Sequence, residues 1–402
     1  MSGANAVIAI EDAFRSVDEA LAGARLPAET LPTRAALGRV LACEQRSGVD
    51  LPPFDKAAVD GYAIGGEAEQ GQYRLVRTVA AGQAAPPALR PGETAKVMTG
   101  APVPAGTLRV VMQEDAALSG EHVRLNARGA TNFCPRGEDM RRGDVVLPAG
   151  TRLRALEVAN LIGCGVTTVE VVRRPRVAII STGDEIVDDP TRLAPGKIMD
   201  VNGPLLAGLC VANGLDVANQ VWVPDIPEVL RGTVESALTA VDIVVLSGGV
   251  SEGEYDYVLD VFAQLGLRVH FSRLAAKPGK PTAFATRERK AVFGLPGNPV
   301  SVFLMFHLLV LRAASHLTGA PVPLRQLTLT LAGEFRRRRA DRLEYVPAAL
   351  TAAGRVEPLA CHGSAHLLAL TQADGFVIVP NGVTELAAGA AVDFVLLPGS
   401  GR

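Results

Sequence analysis

The chain has 402 residues, 48% hydrophobic and 20% charged, which suits two to four domains at about 150 residues each. Forty Lys and Arg face 42 Asp and Glu, a formal net charge of -2, and 4% of residues are aromatic. That balance excludes a strongly basic nucleic-acid binder, an acidic solvating tail and an aromatic stacking platform, but leaves room for a local anion site.

The first elements read as helical. Glu11, Phe14, Val17 and Leu21 recur at helical spacing, and residues 7–44 are expected to be mainly helix, with Thr33 capping a second short one toward Arg39–Glu44. From residue 47, Val-rich pieces (Arg74–Val79, Arg109–Gln113, His122–Leu125, Asp144–Leu147) alternate with Gly and Pro, as in a small β domain. Residues 151–165 look helical again. From 175 the rhythm is strand and helix in turn. Strands are expected at Arg176–Ile180, Val217–Val223, Asp242–Leu246, Leu267–Phe271, Thr282–Thr286 and Ala291–Leu295. Helices are expected at Asn202–Asn213 (Asn as cap, Gly214 past the end), Pro227–Ala240, Tyr255–Leu265 and Pro299–Leu317. Such alternation predicts an α/β domain with a mostly parallel sheet. Short strands return at Gln326–Leu331, Glu344–Ala348, Phe376–Val379 and Val392–Leu396.

The expected organisation is an α/β multidomain chain: an elongated helical frame (1–46 and 138–174), an inserted β domain (47–137), the α/β domain (175–320) and a C-terminal β domain (321–402). Cys43, Cys134, Cys164, Cys210 and Cys361 are odd in number with no CxxC pair, which fits a reducing compartment. The segment MSGANAVIAIEDAF lacks a basic region ahead of its apolar residues, and Val300–Leu311 is too short to cross ~30 Å of hydrocarbon. The expectation is a cytoplasmic protein that binds neither membrane nor nucleic acid.

In an open parallel sheet, ligands bind outside the carboxyl ends of the strands. The loops expected there are rich in chemistry. They carry Gly183, Asp184 and Glu185; Asp225; Ser247, Gly248, Gly249, Ser251, Glu254 and Asp256; Lys277, Lys280 and Pro281; and Pro296, Asn298 and Pro299. Glycines let backbone N–H groups close on phosphate oxygens, carboxylates suit a hard cation such as Mg²⁺, and the lysines suit an oxyanion. One such loop alone is ordinary turn chemistry; five on one edge describe a pocket for a nucleotide-like phosphate with metal assistance.

Other motifs weigh less. Walker A and GxGxxG patterns are absent. Gly249-Val-Ser251-Glu-Gly253 matches the G-x-S-x-G elbow of serine hydrolases, but the apolar run stops at Leu246, too early for a strand-end nucleophile. Cys361, His362 and His366 lie close in sequence without a fourth zinc ligand. Arg336 to Arg339 read first as a solvated strand end and second as an anion or partner patch.

Seven segments carry a resemblance: Pro52-Pro53-Phe54-Asp55 with Val59-Asp60-Gly61-Tyr62-Ala63; Met98–Pro104; Arg136-Gly137-Glu138-Asp139; Ser181–Glu185; Ser247–Ser251; Lys277–Pro281; and Gly294–Ser301. In order and spacing they resemble the molybdopterin molybdenumtransferases, the MoeA-type molybdenum insertases related to the C-terminal domain of gephyrin. The resemblance implies Mg²⁺-dependent cleavage of adenylylated molybdopterin, with insertion of molybdenum from molybdate and release of AMP. It implies homodimers of four-domain subunits whose site is shared between subunits, with transient contact to a molybdopterin adenylyltransferase or to molybdoenzymes.

Position by position, it implies that Asp184, Glu185, Glu254 and Asp256 are metal- or phosphate-side groups with Asp225 nearby. Asp60 and Thr99 reach in from the partner, and Lys280, Pro281, Ser301, Arg342 and Ser364, supported by Lys277, form the molybdate pocket. The chain departs from the family pattern at Lys56, Ala57 and Val59, at Phe133 and Cys134, and at Pro347. Catalysis is expected to survive because the acidic and lysine loops are intact. The alternative is a divergent, non-catalytic molybdopterin-binding scaffold.

Overall fold

Ile10, Ala13 and Val17 fall on one stripe of an amphipathic helix, and the chain is helical from Ile10 to Ala20 (α1). The computed structural model describes residues 6–66, 68, 71–126, 129–249, 257–322, 324–360, 363 and 366–398. The chain divides into two units, Met1–Glu29 with Val172–Arg402, and Thr30–Val171. Asp18 of α1 takes a bidentate pair from Arg312 at 2.7 Å on each oxygen, and Val7–Ile8 pairs with Arg273–Leu274, so the first segment belongs with the α/β unit.

The second helix expected near Thr33 is also corrected. Thr33–Ala35 is a single 3₁₀ turn between strands Ala28–Pro32 and Val40–Leu41. Pro32 favours an extended residue before it, and Gly38 at φ 76 breaks any helix after it. The Thr33 hydroxyl instead donates to the Val166 carbonyl at 2.7 Å.

Within Thr30–Val171, the strands are β1 (Gly61–Ile64), β2 (Gln72–Val79), β3 (Glu93–Val97), β4 (Arg109–Met112), β5 (Ala116–Ser119) and β6 (His122–Leu125). They form one sheet in the order β5-β6-β2-β3-β1-β4, in which the β2–β3 pair is parallel. Gly61 sits where a Cβ would lie 2.1 Å from the Val111 carbonyl oxygen, so the β1–β4 pairing requires glycine there. Helix α2 (Ala155–Gly163) packs Leu161 against Ala36, Leu41, Leu153, Val169 and Val171.

The other unit contains β7 (Arg176–Thr182), α3 (Asn202–Ala212), β8 (Asp216–Val223), α4 (Pro227–Ala240), β9 (Ile243–Ser247) and α5 (Tyr257–Gln264). These are followed by β10 (Arg268–Phe271), β11 (Ala283–Arg287), β12 (Lys290–Leu295) and the helical run α6 (Pro299–Thr318). The sheet order is β8-β7-β9-β12-β11-β10, with the first four strands parallel and the last two antiparallel to their neighbours. Both faces are covered. Val177, Ile179, Ile243, Val245 and Phe293 share a core with α1, α3 and α6, and Ala178, Ile180, Val244, Leu246 and Val292 pack on α4 and α5. Two-sided burial explains why these strands read as unbroken apolar runs.

Helix α6 is long and apolar enough to cross a bilayer, but 78% of it is buried inside the protein as the core helix. A π-turn at Phe306–Val310 interrupts its centre and holds His307 beside Phe303, with Nδ1 2.8 Å from the Phe303 carbonyl. Burial pushes the His307 imidazole down to about 4. The unfolded chain therefore takes up a proton near pH 6.5 that the folded chain refuses until about pH 4, so stability falls as pH falls across that window. The full loss is about 3 kcal/mol at 1.36 kcal/mol per unit. His307→Gln is expected to flatten that part of the stability–pH curve in urea denaturation. An unchanged slope would remove His307 as its cause.

The C-terminal strands β13 (Arg325–Thr330), β14 (Leu343–Leu350), β15 (Gly375–Val379) and β16 (Ala391–Leu396) form a sheet ordered β14-β15-β16-β13. Residues Ala276–Lys277 add a parallel strand to β14, and Phe376 packs on Phe303 of α6. The boundary expected at 320 thus separates two sheets that share one core.

Candidate functional site

The carboxyl ends of β7, β9 and β12 carry three loops tied by short polar bonds. Gly248 has φ 98, and a Cβ there would meet the Thr182 carbonyl oxygen at 2.2 Å, so the glycine loop lies directly on the end of β7. Thr182 donates to Asp225 at 2.5 Å, and the Asp225 amide donates to the Asp184 carboxylate at 3.2 Å. Trp222 Nε1 donates to the Gly183 carbonyl at 3.0 Å, and the Glu185 carboxylate lies beside Gly183. These contacts bring Gly183, Asp184, Glu185 and Asp225 together.

Asn202 corrects the expectation of a helix cap. The residue before α3 is Val201, and Asn202 is buried, with Nδ2 donating to Ser247 Oγ at 2.8 Å and to the Gly297 carbonyl at 2.6 Å. One amide therefore binds the Ser247–Gly249 loop to the Pro296–Asn298 loop.

On the other side of that second loop is a cavity of about 1010 Å³. Lys277, Lys280, Pro281, Pro296, Asn298, Ser301 and Arg342 all line it, drawn from segments far apart in sequence. Pro299 starts α6 directly beneath it, where the missing proline N–H costs no helical bond, and Ser301 is buried in the first turn. Lys277 pairs with Glu344 at 2.7 Å, and Arg342 lies 3.3 Å from Asp341. Seven cationic side chains and two carboxylates line the cavity, a local excess of positive charge embedded in a near-neutral chain.

Arg336 to Arg339 also line this cavity; Arg336, at the end of a short strand, Arg338 and Arg339 are exposed to solvent, and Arg337 is the buried member. Arg337 is 5% exposed and donates to the carbonyls of Val383 at 2.6 Å, Arg342 at 3.0 Å and Pro380 at 2.5 Å, besides pairing with Glu344 at 3.1 Å.

In the Thr30–Val171 unit, Thr99 binds Asp60 Oδ1 through its amide at 2.7 Å and its hydroxyl at 2.8 Å. The amide bond first, then the hydroxyl, holds the Asp60 carboxyl below the usual carboxylate range. The neighbouring motifs close on one another. Val103 N donates to Asp55 O, Arg136 N to Asp55 Oδ1, and Gly137 N to Pro52 O. The departures from the family pattern meet here as well, since Ala57 faces Phe133 and Lys56 faces Cys134 across a two-residue ladder. Pro347 lies on the wall of the cavity in the other unit.

Ser251, Glu254, Asp256 and Ser364 lie outside the described residues, as do Cys361 and His362. Among the described residues no three His, Cys, Asp or Glu side chains are grouped to hold a metal ion; Asp184 and Asp225 are linked through the Asp225 amide. Asn202 and Trp222 were not foreseen as site residues, Thr182 only as part of the Ser181–Glu185 motif, and Arg337 only within a run read second as an anion or partner patch. Their bonds depend on which loops meet, and a single sequence carries no signal of that.

The chain matches three family descriptions in order: "MoeA N-terminal region (domain I and II)" over residues 8–165, "Probable molybdopterin binding domain" over 178–316, and "MoeA C-terminal region (domain IV)" over 330–397. It is 32% identical to a molybdopterin molybdenumtransferase of Staphylococcus epidermidis, over 90% of this chain and 89% of that protein. It is 34% identical to one of Nostoc sp., over 90% of this chain and 87% of that protein. The crystal structure of the molybdopterin biosynthesis MoeA protein from Pyrococcus horikoshii superposes with a TM-score of 0.84 at 29% identity, covering 98% of this chain and 100% of that one.

Proposed function

The chain belongs to the MoeA family of molybdopterin molybdenumtransferases, enzymes of molybdenum cofactor biosynthesis, and from that premise we propose that it inserts molybdenum from molybdate into adenylylated molybdopterin with Mg²⁺-dependent release of AMP. The observation that carries this reading is the loop Pro296–Asn298. Its Gly297 carbonyl is tied to the glycine edge through Asn202, while Pro296 and Asn298 line the cationic cavity. A phosphate cradle and an oxyanion pocket thus adjoin within one unit, as a reaction that couples phosphoanhydride cleavage to oxyanion uptake requires.

In that reaction a water oxygen forms a bond to the adenylyl phosphorus and the P–O–P bridge breaks, leaving AMP and a phosphate on the pterin. The two dithiolene sulfurs bind molybdenum, and one oxo ligand leaves as water with the two thiol protons. Gly183, Ser247, Gly248, Gly249 and Ser251 cradle the adenylyl phosphate, with Asn298 and Pro299 on the neighbouring loop. Lys280, Pro281, Ser301, Arg342 and Ser364 receive the oxyanion, supported by Lys277 and Pro296.

The Asp184 carboxylate, which accepts from the Asp225 amide, and the Asp225 carboxylate, which accepts from Thr182, would hold Mg²⁺, an ion usually bound by one or two carboxylates, substrate phosphates and waters. Glu185, Glu254 and Asp256 complete that acidic side. Mg²⁺ supplies neutralising charge at the phosphoryl group when bound. Asp60, pinned by Thr99 with its second oxygen free of that clasp, acts from the partner subunit of a homodimer.

Purified protein with adenylylated molybdopterin, molybdate and Mg²⁺ is expected to release AMP in step with cofactor formation, and EDTA to stop both. Substrate binding without AMP release would replace this reading with the scaffold alternative. Lys280→Ala is expected to raise the KM for molybdate by about 10- to 100-fold, the worth of one charge-assisted hydrogen bond. An unchanged molybdate KM would take Lys280 out of the oxyanion pocket.

A further inference from the structure

The cavity is larger than a single tetrahedral oxyanion needs. At about 1010 Å³ it has the size of a site for a drug-sized organic ligand. Its charges are also unevenly matched. Lys277 and Arg337 share Glu344, Arg342 has Asp341, and Arg336 has Glu334 at 3.4 Å and Glu385 at 3.0 Å. Arg338 and Arg339 line the same cavity, are exposed, and make no close ion pair among the described residues, the Asp341 carboxylate acting on Arg339 only at longer range.

Their backbone is held on both sides. Arg337 N donates to the Thr384 carbonyl at 2.9 Å, its buried guanidinium clamps the loop, and the Gly382 amide donates to the Ala340 carbonyl at 2.8 Å. Two guanidinium forks on a fixed backbone match the planar, bidentate recognition of a phosphate better than the single point charge of a lysine.

We propose that Arg338 and Arg339 form a second anion subsite of this cavity, which takes the pterin-side phosphate of the substrate and keeps it after AMP leaves. The inference rests on the reading of the Lys280 side as the oxyanion pocket. It divides the cavity by ligand: molybdate at Lys280 and Ser301, and a phosphate monoester at the two arginines.

The double variant Arg338→Gln, Arg339→Gln tests it with three probes: adenylylated molybdopterin, molybdate and inorganic phosphate. The KM for adenylylated molybdopterin and the calorimetric Kd for inorganic phosphate are each expected to rise about tenfold or more, while the KM for molybdate moves by less than about twofold. Unchanged phosphate affinity, or an equal rise in both KM values, would overturn the subsite; the second result marks a general field effect. If the wild-type protein releases no AMP, the proposed function fails by itself. The phosphate titration then still decides the subsite, a tenfold loss supporting it and no loss refuting it.

Discussion

Asn202→Ala is expected to lower turnover by about 10²-fold, because a displacement of about 1 Å between reacting groups costs that much. Asn202 Nδ2 is the shared donor to Ser247 Oγ and the Gly297 carbonyl, so its loss frees two loops that carry opposite sides of the reaction. Both acceptors are then left without that donor in a buried setting, which costs about 2–3 kcal/mol of stability for the pair. Asn202→Asp keeps the volume but turns a carboxylate toward the Gly297 carbonyl, and is expected to be no better than alanine. Steady-state kinetics alongside urea denaturation separates the effects. A variant that loses stability but keeps turnover within about threefold of wild type would make Asn202 a packing residue only.

Arg337→Ala is expected to be among the most destabilising single changes in the unit that contains the cavity, at about 3–5 kcal/mol. The guanidinium is 5% exposed, and its removal leaves Glu344, itself 13% exposed, paired with the half-exposed Lys277. It also strips donors from the carbonyls of Val383, Arg342 and Pro380. Arg337→Lys restores charge but not the fork, so it is expected to recover only part of the loss. By contrast, replacing the exposed Arg338 and Arg339 is expected to shift stability by no more than about 0.5 kcal/mol. Of four identical residues in a row, Arg337 is thus structural, Arg336 is held by Glu334 and Glu385, and Arg338 and Arg339 are the proposed ligand-facing pair, measurable by denaturation on one side and titration on the other. Equal stability losses across the run would contradict that division.

The core strands were legible because burial on both faces leaves a simple mark. Val177 to Ile180 and Ile243 to Leu246 are apolar at every position, and the structure puts alternate residues into two different cores. Thr33 shows the opposite case. Its cap chemistry suggests a helix start, but Pro32 and Gly38 on either side limit it to one turn, and its hydroxyl finds Val166. Asn202 stands at a helix start, where a cap is the ordinary expectation, yet its side chain turns away from its own helix to a distant loop. Lys56, Ala57, Phe133 and Cys134 look like unrelated departures in two motifs, but they are cross-strand neighbours. A change at one position alters the packing requirement at the other.

The near-neutral total charge excluded a general polyanion binder, and the apolar runs and glycine-rich strand ends announced an α/β sheet with a ligand edge. The sequence by itself determined those features, because they depend on local periodicity and on residue chemistry at strand ends. Tertiary structure alone decided how the charge is distributed. It gathered seven cations around one cavity, buried one arginine of four, and made a single asparagine the tie between the Ser247–Gly249 loop and the Pro296–Asn298 loop on the cavity wall. Which carbonyl a side chain reaches, and which cation is left without a carboxylate, follows from the meeting of segments separated by tens of residues, and that geometry exists only in the folded chain.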